Sequence, residues 1–319
     1  MPMPMPRPIP STVALALLAP LAFLGQGPVQ PRPKKTAPAE TRQQATIRVD
    51  TNLILVPVSV NDALNRPVTG LERENFRVFE DKVEQKIAQF AMDDDPVAVG
   101  LVFDTSGSMG SKLQRSRMAA VQFFKTANAE DEFFLVEFDN SPRLEVPLTM
   151  DVGQIENQLT FSQSKGSTAL LDAIYLALHE MKRSKKNKKA LLIISDGGDN
   201  HSRYSAREVR NLVRESDVLI YSIGVFGGGS TAEESGGPGL LANISEQTGG
   251  RLFEANPVEL PDIAQKIGVE LRNRYVIGYS AQNQQHDGKY HRIQVVIVPP
   301  RGLRQLRAHW RTGYNAPVE

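Results

Sequence analysis

A carboxylate and three hydroxyls crowd into the run DTSGS: Asp104, Thr105, Ser106 and Ser108. Asp104, Ser106 and Ser108 alternate, so an extended loop can turn them the same way. Their oxygens are hard donors with no His or Cys among them, a set suited to Mg²⁺, Mn²⁺ or Ca²⁺. Two other loops carry matching chemistry. Gly166–Ser167–Thr168 places a hydroxyl at the start of a helical pattern, and Asp196–Gly197–Gly198 ends an apolar run. Two carboxylates brought close need a cation or a proton to be tolerable. Hydroxyl ligands are uncharged, so a cation held partly by them stays electrophilic and attracts an external carboxylate.

These residues need elements that converge them. Val97–Phe103 is an apolar run that reads as a strand buried on both faces, stopping at Asp104. A helical pattern begins at Ser111, with Leu113, Met118, Val121 and Phe124 in helical spacing. Ala190–Ser195 is a second apolar strand, ending at Asp196. Between and after them, helical patterns (152–159, 168–183, 205–214, 239–247, 260–272) alternate with strands (132–138, 143–148, 217–225, 251–253). Alternating strands and helices predict an α/β fold, a doubly wound and mostly parallel sheet of about six strands. In such a sheet the loops after strand ends open on one rim, where ligands sit. Asp104 and Asp196 can therefore approach one another.

β-rich stretches flank this segment. On the N-terminal side they are 46–60, Val68–Leu71, Phe76–Phe79 and Ile87–Phe90. On the C-terminal side they are 275–281, 291–298 and 303–311. Frequent turns between short strands suggest a sandwich. Each flank alone is small for a stable core, so the two are expected to pair into one discontinuous β-sandwich. Trp310 and Tyr314 are expected to help close it. Asp93–Asp94–Asp95–Pro96 reads as a solvated acidic hinge.

The combination D-x-S-x-S at Asp104, Ser106 and Ser108, with loop Thr168 and later Asp196, resembles the von Willebrand factor type A domain family. The resemblance covers roughly 96–272. It implies a metal-ion-dependent adhesion site in which those five residues hold the ion, directly or through water. An Asp or Glu of a partner protein would complete the coordination. The flanks, through P-V-T-G-L (Pro67–Leu71), F-x-V-F-E-D (Phe76–Asp81) and R-x-G-Y (Arg311–Tyr314), look like a subgroup of secreted acidobacterial proteins with β segments around such a domain. The implied function is divalent-metal-dependent protein binding without enzymatic activity.

Rival readings use the same residues. Ser106 or Ser108 could simply cap the following helix. A structural or scaffolding envelope protein could use the metal only to stabilise its fold. Ser106–Gly107–Ser108–Met109–Gly110 is close to a nucleophile elbow, but Ser106 stands where the elbow wants Gly. A serine hydrolase using Ser108 would draw on Asp196 and His201, which are too near in sequence for separate loops. A phosphoaspartyl enzyme on Asp104 would want an acid where Ser106 stands. Lys182–Lys189 is a basic run without interleaved aromatics, which argues against nucleic-acid binding. The Gly-rich run Phe226–Gly239 has no phosphate-loop Lys and is expected to rim the site.

The chain has 319 residues, a formal charge of +1 and no cysteine. The charge supplies no global field for nucleic acid or anionic membranes. The lack of cysteine excludes disulfides, thiolate sites and a cysteine nucleophile. Thr12–Leu24 is apolar, preceded by Arg7, and shorter than the ~20 residues of a membrane span. It reads as a signal peptide (1–27), with a Pro-rich linker after it (28–45), then the N-terminal β segment (46–92), the α/β domain (96–272) and the C-terminal β segment (273–315). A periplasmic, secreted or envelope-associated protein, with no integral membrane segment after cleavage, is the expected outcome. Exported protein should therefore lack its first ~25 residues. Mass spectrometry of the mature N-terminus checks this; an intact Met1 on membrane-bound protein would make the segment an anchor.

Overall fold

The strand that ends at Asp104 is buried along all eight residues, Val97–Asp104. A strand hidden on both faces needs cover on both. The computed structural model describes residues 53–226, 236–256, 258–281, 288–303 and 305–316. The expected leader and linker lie outside these, as does most of the Gly-rich run.

In chain order the described residues begin with β1 (Leu53–Asn61), β2 (Phe76–Glu80), β3 (Val83–Gln85) and β4 (Ile87–Asp93). The α/β segment follows: β5 (Val97–Asp104), α1 (Leu113–Phe124), β6 (Glu132–Phe138), β7 (Pro142–Thr149), α2 (Val152–Phe161) and α3 (Leu170–Met181). It continues with β8 (Lys188–Ser195), α4 (Ala206–Glu215), β9 (Leu219–Val225), α5 (Gly237–Glu246), β10 (Leu252–Ala255) and α6 (Leu260–Arg272). Then come β11 (Arg274–Ser280), β12 (Tyr290–Ile297), β13 (Arg307–Trp310) and β14 (Gly313–Asn315).

The six-stranded sheet has the order β10-β9-β8-β5-β6-β7. Its pairs are parallel except β6 with β7. Side-chain alternation divides β5 between two cores. Val97, Val99, Leu101 and Phe103 pack with α1, α2 and α6, while Ala98 and Val102 pack with α3, α4 and α5. The sheet is thus doubly wound. Successive strands grow in opposite directions from β5, making the gap between the ends of β5 and β8 the switch point where a crevice forms.

The flanks build two antiparallel sheets, β13-β1-β11-β4 and β14-β12-β2-β3. Each draws strands from both ends of the chain, and one core joins them: Val56, Val58, Phe76, Val78, Tyr275, Ile277, Ile293 and Val295 among others. Trp310 and Tyr314 pack against it, partly buried. Val68–Leu71 departs from its expected strand. The only strand-like pairing in this turn is a bridge from Pro67 to Asn61. The turn is instead held by the Tyr275 hydroxyl, which accepts from Leu71 N (3.0 Å) and donates to Val68 O (2.9 Å). Proline has no N–H for a ladder, which favours this side-chain solution. Among the described residues of 303–311, Arg307–Trp310 is strand.

Glu270 on α6 fastens β1 to the α/β segment. Its carboxylate, buried, accepts from Ser59 Oγ (3.0 Å), Asn61 Nδ2 (2.8 Å), Tyr221 OH (2.8 Å) and Arg251 (2.5 Å). Burial opposes its ionisation, but Arg251 and these hydrogen bonds outweigh burial and hold its pKa below the ordinary value. A carboxyl with a depressed pKa stabilises the fold above its unfolded pKa, and that contribution fades as pH falls through the folded one. Glu270→Ala leaves Arg251 buried without its counter-charge and should cost about 3–5 kcal/mol in denaturant unfolding. Glu270→Gln should remove part of the loss of stability expected as pH falls below the ordinary carboxyl value of 4.5. Equal pH profiles for the Gln variant and wild type would refute this assignment.

Candidate metal centre at the sheet rim

Three loops meet at the switch point. Asp104 closes β5, Asp196 follows β8, and Thr168 precedes α3. The segment before α3 is stitched to its neighbours through the backbone. Gly107 N donates to Gly166 O (3.0 Å), Lys165 N to Thr105 O (2.8 Å) and Ala169 N to Asp139 O (2.9 Å). Gly166 has φ +75° and Gly197 φ +78°. Both are left-handed positions that favour glycine. A Cβ on Gly197 would also strike the Gly237 backbone at 2.8 Å. The Gly-rich character of these loops thus serves a close backbone approach.

The five expected residues take distinct places. Asp104 is fully buried; its Oδ1 accepts from Ser106 N (2.8 Å) and its Oδ2 from Ser195 Oγ (2.6 Å). Ser106 is buried and its Oγ lies 3.0 Å from the Oγ of exposed Ser108. Neither serine caps a helix. Ser106 stands before the short 3-10 turn Gly107–Met109 with no side-chain cap bond, and α1 starts at Leu113 behind Lys112. Thr168 is buried, with its N bonded to Asn200 Oδ1 (2.9 Å) and its O accepting from Asn200 N and His201 N. Asp196 is buried, and its Oδ2 lies 3.2 Å from Lys112 Nζ.

Several positioning residues carry no motif. Ser195 bonds Asp104 and also accepts from Gly197 N (2.9 Å), coupling the two carboxylate loops. Asn140 Oδ1 accepts from Ser167 N (2.7 Å). Asn200 holds Thr168. Asp199, which reads as turn chemistry, accepts from Ser202 Oγ (2.6 Å) and Leu171 N (3.3 Å). Lys112 looks in sequence like any charge near a helix start. Its burial appears only once β8 is laid beside β5.

The electrostatics favour a cation. Burial, then the charge of Asp196, push the Asp104 carboxyl up to about 7, against hydrogen bonds from Ser106 and Ser195 that pull it down. Two carboxylates and two neighbouring hydroxyls form an oxygen-only donor set, and Ser108 leaves it open to solvent. That chemistry fits a hard divalent ion with exchangeable water. Asp104, Ser106, Ser108, Thr168 and Asp196 are the residues that would hold one. A second acidic group, Glu80, Asp81 and His291, lies in the sandwich, where His291 Nδ1 is 2.8 Å from Asp81 and Tyr279 and Tyr314 donate to Glu80.

Residues 99–198 match the family model described as von Willebrand factor type A domain. A protein of Borreliella burgdorferi described as uncharacterized is 27% identical over 184 residues, 49% of this chain and 53% of that protein. Human inter-alpha-trypsin inhibitor heavy chain H4 is 26% identical over 202 residues, 58% of this chain and 21% of that protein. The chain thus spans about half of one relative and about a fifth of the other. A solved von Willebrand factor type A structure from Catenulispora acidiphila superposes with TM-score 0.50 at 13% identity, covering 83% of this chain and 73% of that one. It supports the fold.

The raised pKa of Asp104 has a measurable sign. A carboxyl whose folded pKa lies above its unfolded value near 3.8 costs stability as pH rises from 3.8 through about 7. In EDTA the protein should lose about 2–4 kcal/mol of unfolding free energy across that range from this group. Asp104→Asn should flatten the decline and raise the melting temperature at pH 8. A variant less stable than wild type at pH 8 in EDTA would contradict the assignment.

Proposed function

We propose that this chain, which carries a von Willebrand factor type A domain, is a divalent-metal-dependent protein-binding module of adhesion type. The observation that carries the reading is the pair of buried carboxylates at the ends of neighbouring parallel strands, beside a hydroxyl pair that opens to solvent. Bound there, Mg²⁺ or Mn²⁺ would supply a Lewis-acid centre with an exchangeable position for a partner's Asp or Glu; Ca²⁺ suits the same donors. Asp104 and Asp196 supply charge, and Ser106, Ser108 and Thr168 supply neutral oxygens that leave the ion hungry for an anion. Ser195, Asn140 and Asn200 hold the three loops in register.

The reading is non-enzymatic. The Ser108 hydroxyl lies 3.0 Å from the Ser106 hydroxyl, and His201 is exposed. Both favour binding over nucleophilic attack. The leader-like N-terminus supports export to the periplasm, the envelope or the medium. Among the described residues no helix is long and apolar enough to cross a membrane. The partner is a protein presenting an acidic side chain, and nucleic acid is not expected.

Calorimetry with Mg²⁺ and Mn²⁺ is the test. Wild type should bind one of them. Asp104→Ala should abolish binding while circular dichroism stays unchanged, because the apolar sheet beneath is untouched. Thr168→Ala should weaken binding about 10-fold, the scale of losing one supporting ligand interaction. Capture of a partner from an envelope fraction should fail in EDTA. A folded wild type that binds neither ion would overturn the reading.

A further inference from the structure

Lys112 breaks two local rules at once. It stands at the N-cap of α1, where Ser, Thr, Asp or Asn is favoured and the positive end of the helix dipole repels a cation. Its side chain is also only 8% exposed, and Lys is almost never buried without a charged partner. The backbone leaves it little choice of position: Lys112 N donates to Met109 O (2.8 Å), and Lys112 O accepts from Ser116 N (3.0 Å) and Ser116 Oγ (3.2 Å). From that fixed point its ammonium reaches Asp196 Oδ2 at 3.2 Å, and Asp196 is 1% exposed. Rule-breaking of this kind concentrates where function demands it.

We propose that Lys112 is the resident counter-cation of the rim site, which a divalent ion must displace from Asp196 in order to bind. The inference rests on the metal-dependent reading above. Asp196 presses on Asp104 through its charge, so the site needs positive charge whether or not an ion is bound. Lys112 meets that need in the ion-free protein. With an ion held at the rim, the ammonium would face a like charge in a buried site, and its hold on Asp196 would turn from favourable to costly. A lysine suits this exchange: its charge is compact and its four-carbon stem flexible, whereas a guanidinium fork is rigid. Displacement taxes metal affinity by the stability of the Lys112–Asp196 pair. Lys112 therefore sets the ion concentration at which the rim becomes competent for an acidic partner, and keeps the empty site from presenting bare carboxylates.

The experiment compares wild type, Lys112→Met and Lys112→Arg. Calorimetry with Mg²⁺ and Mn²⁺ gives affinity, and melting in EDTA and in Mn²⁺ gives an independent readout. Lys112→Met keeps the stem and removes the charge. It should bind the ion at least about ten-fold more tightly, melt lower than wild type in EDTA, and gain more from Mn²⁺. Lys112→Arg keeps the charge on a stiffer fork and should bind the ion no more tightly than wild type. Should Lys112→Met bind the ion no more tightly than wild type, while wild type binds it, the counter-cation role is wrong and the metal site stands. Should wild type and both variants, all folded, bind neither ion, both proposals fall. If Lys112→Met does not fold in EDTA, folding rescued by Mn²⁺ supports the role, and failure in both conditions overturns it.

Discussion

Two carboxyl groups buried at the ends of neighbouring strands govern this molecule. Asp104 and Asp196 sit at the ends of β5 and β8, strands paired through Phe103 and Ile194. The apolar strand β5 carries Asp104 into a region that opposes its ionisation. The loops around them answer that problem. Ser195 and Ser106 N donate to Asp104, Lys112 meets Asp196, and the segment before α3 is stitched down by backbone bonds and by Asn140 and Asn200. A surface loop with no charge to hold would not need so many inward-directed polar groups.

The chemistry of this site was legible because it depends on residue types at strand ends. β5 and β8 announce themselves as apolar runs that stop at aspartate, and helix periodicity locates α3 and α6 closely. Asp104 and Asp196 stand at those strand ends, and Thr168 stands just ahead of α3. Lys112, Ser195 and Asn200 were not legible, since each acts only when a distant loop arrives. A lysine before a helix and a serine ending a strand look ordinary in one dimension. Ser111 reads as the helix start, yet the 3-10 turn at Gly107–Met109 intervenes and α1 begins at Leu113. The sandwich was legible as strand content on both flanks, but its assignment of strands to sheets was not. Val68–Leu71 has the composition of a strand and is held instead by a tyrosine hydroxyl from more than 200 residues away.

Glu270 is the clearest case of a partner set that no local pattern contains. Its partners come from β1, β9 and the residue just before β10, brought together only in the finished fold. Charge and hydrogen-bond satisfaction together keep it ionised inside the protein. The same carboxylate joins the β flank to the helix that ends the α/β segment. A buried ion pair of this kind makes the junction specific in orientation, because removing either side strands the other.

The way the α/β segment is hung on the sandwich has a mechanical consequence. The chain leaves β4 at Asp93 and returns at Arg274, which lies opposite Asp93 in the ladder. Both connections thus emerge from one end of the sheet. β1 runs antiparallel to β11, with Leu53 beside Ser280 and Val58 beside Tyr275. A pull applied at Leu53 and resisted at the rim of the six-stranded sheet draws β1 and β11 in opposite directions from opposite ends. Ladder hydrogen bonds lie across the strands, so that load is shared by every rung in shear and does not peel them one by one. A protein that grips a partner at its rim while tethered through its N-terminal side would find its own anchorage arranged in the stronger of the two geometries.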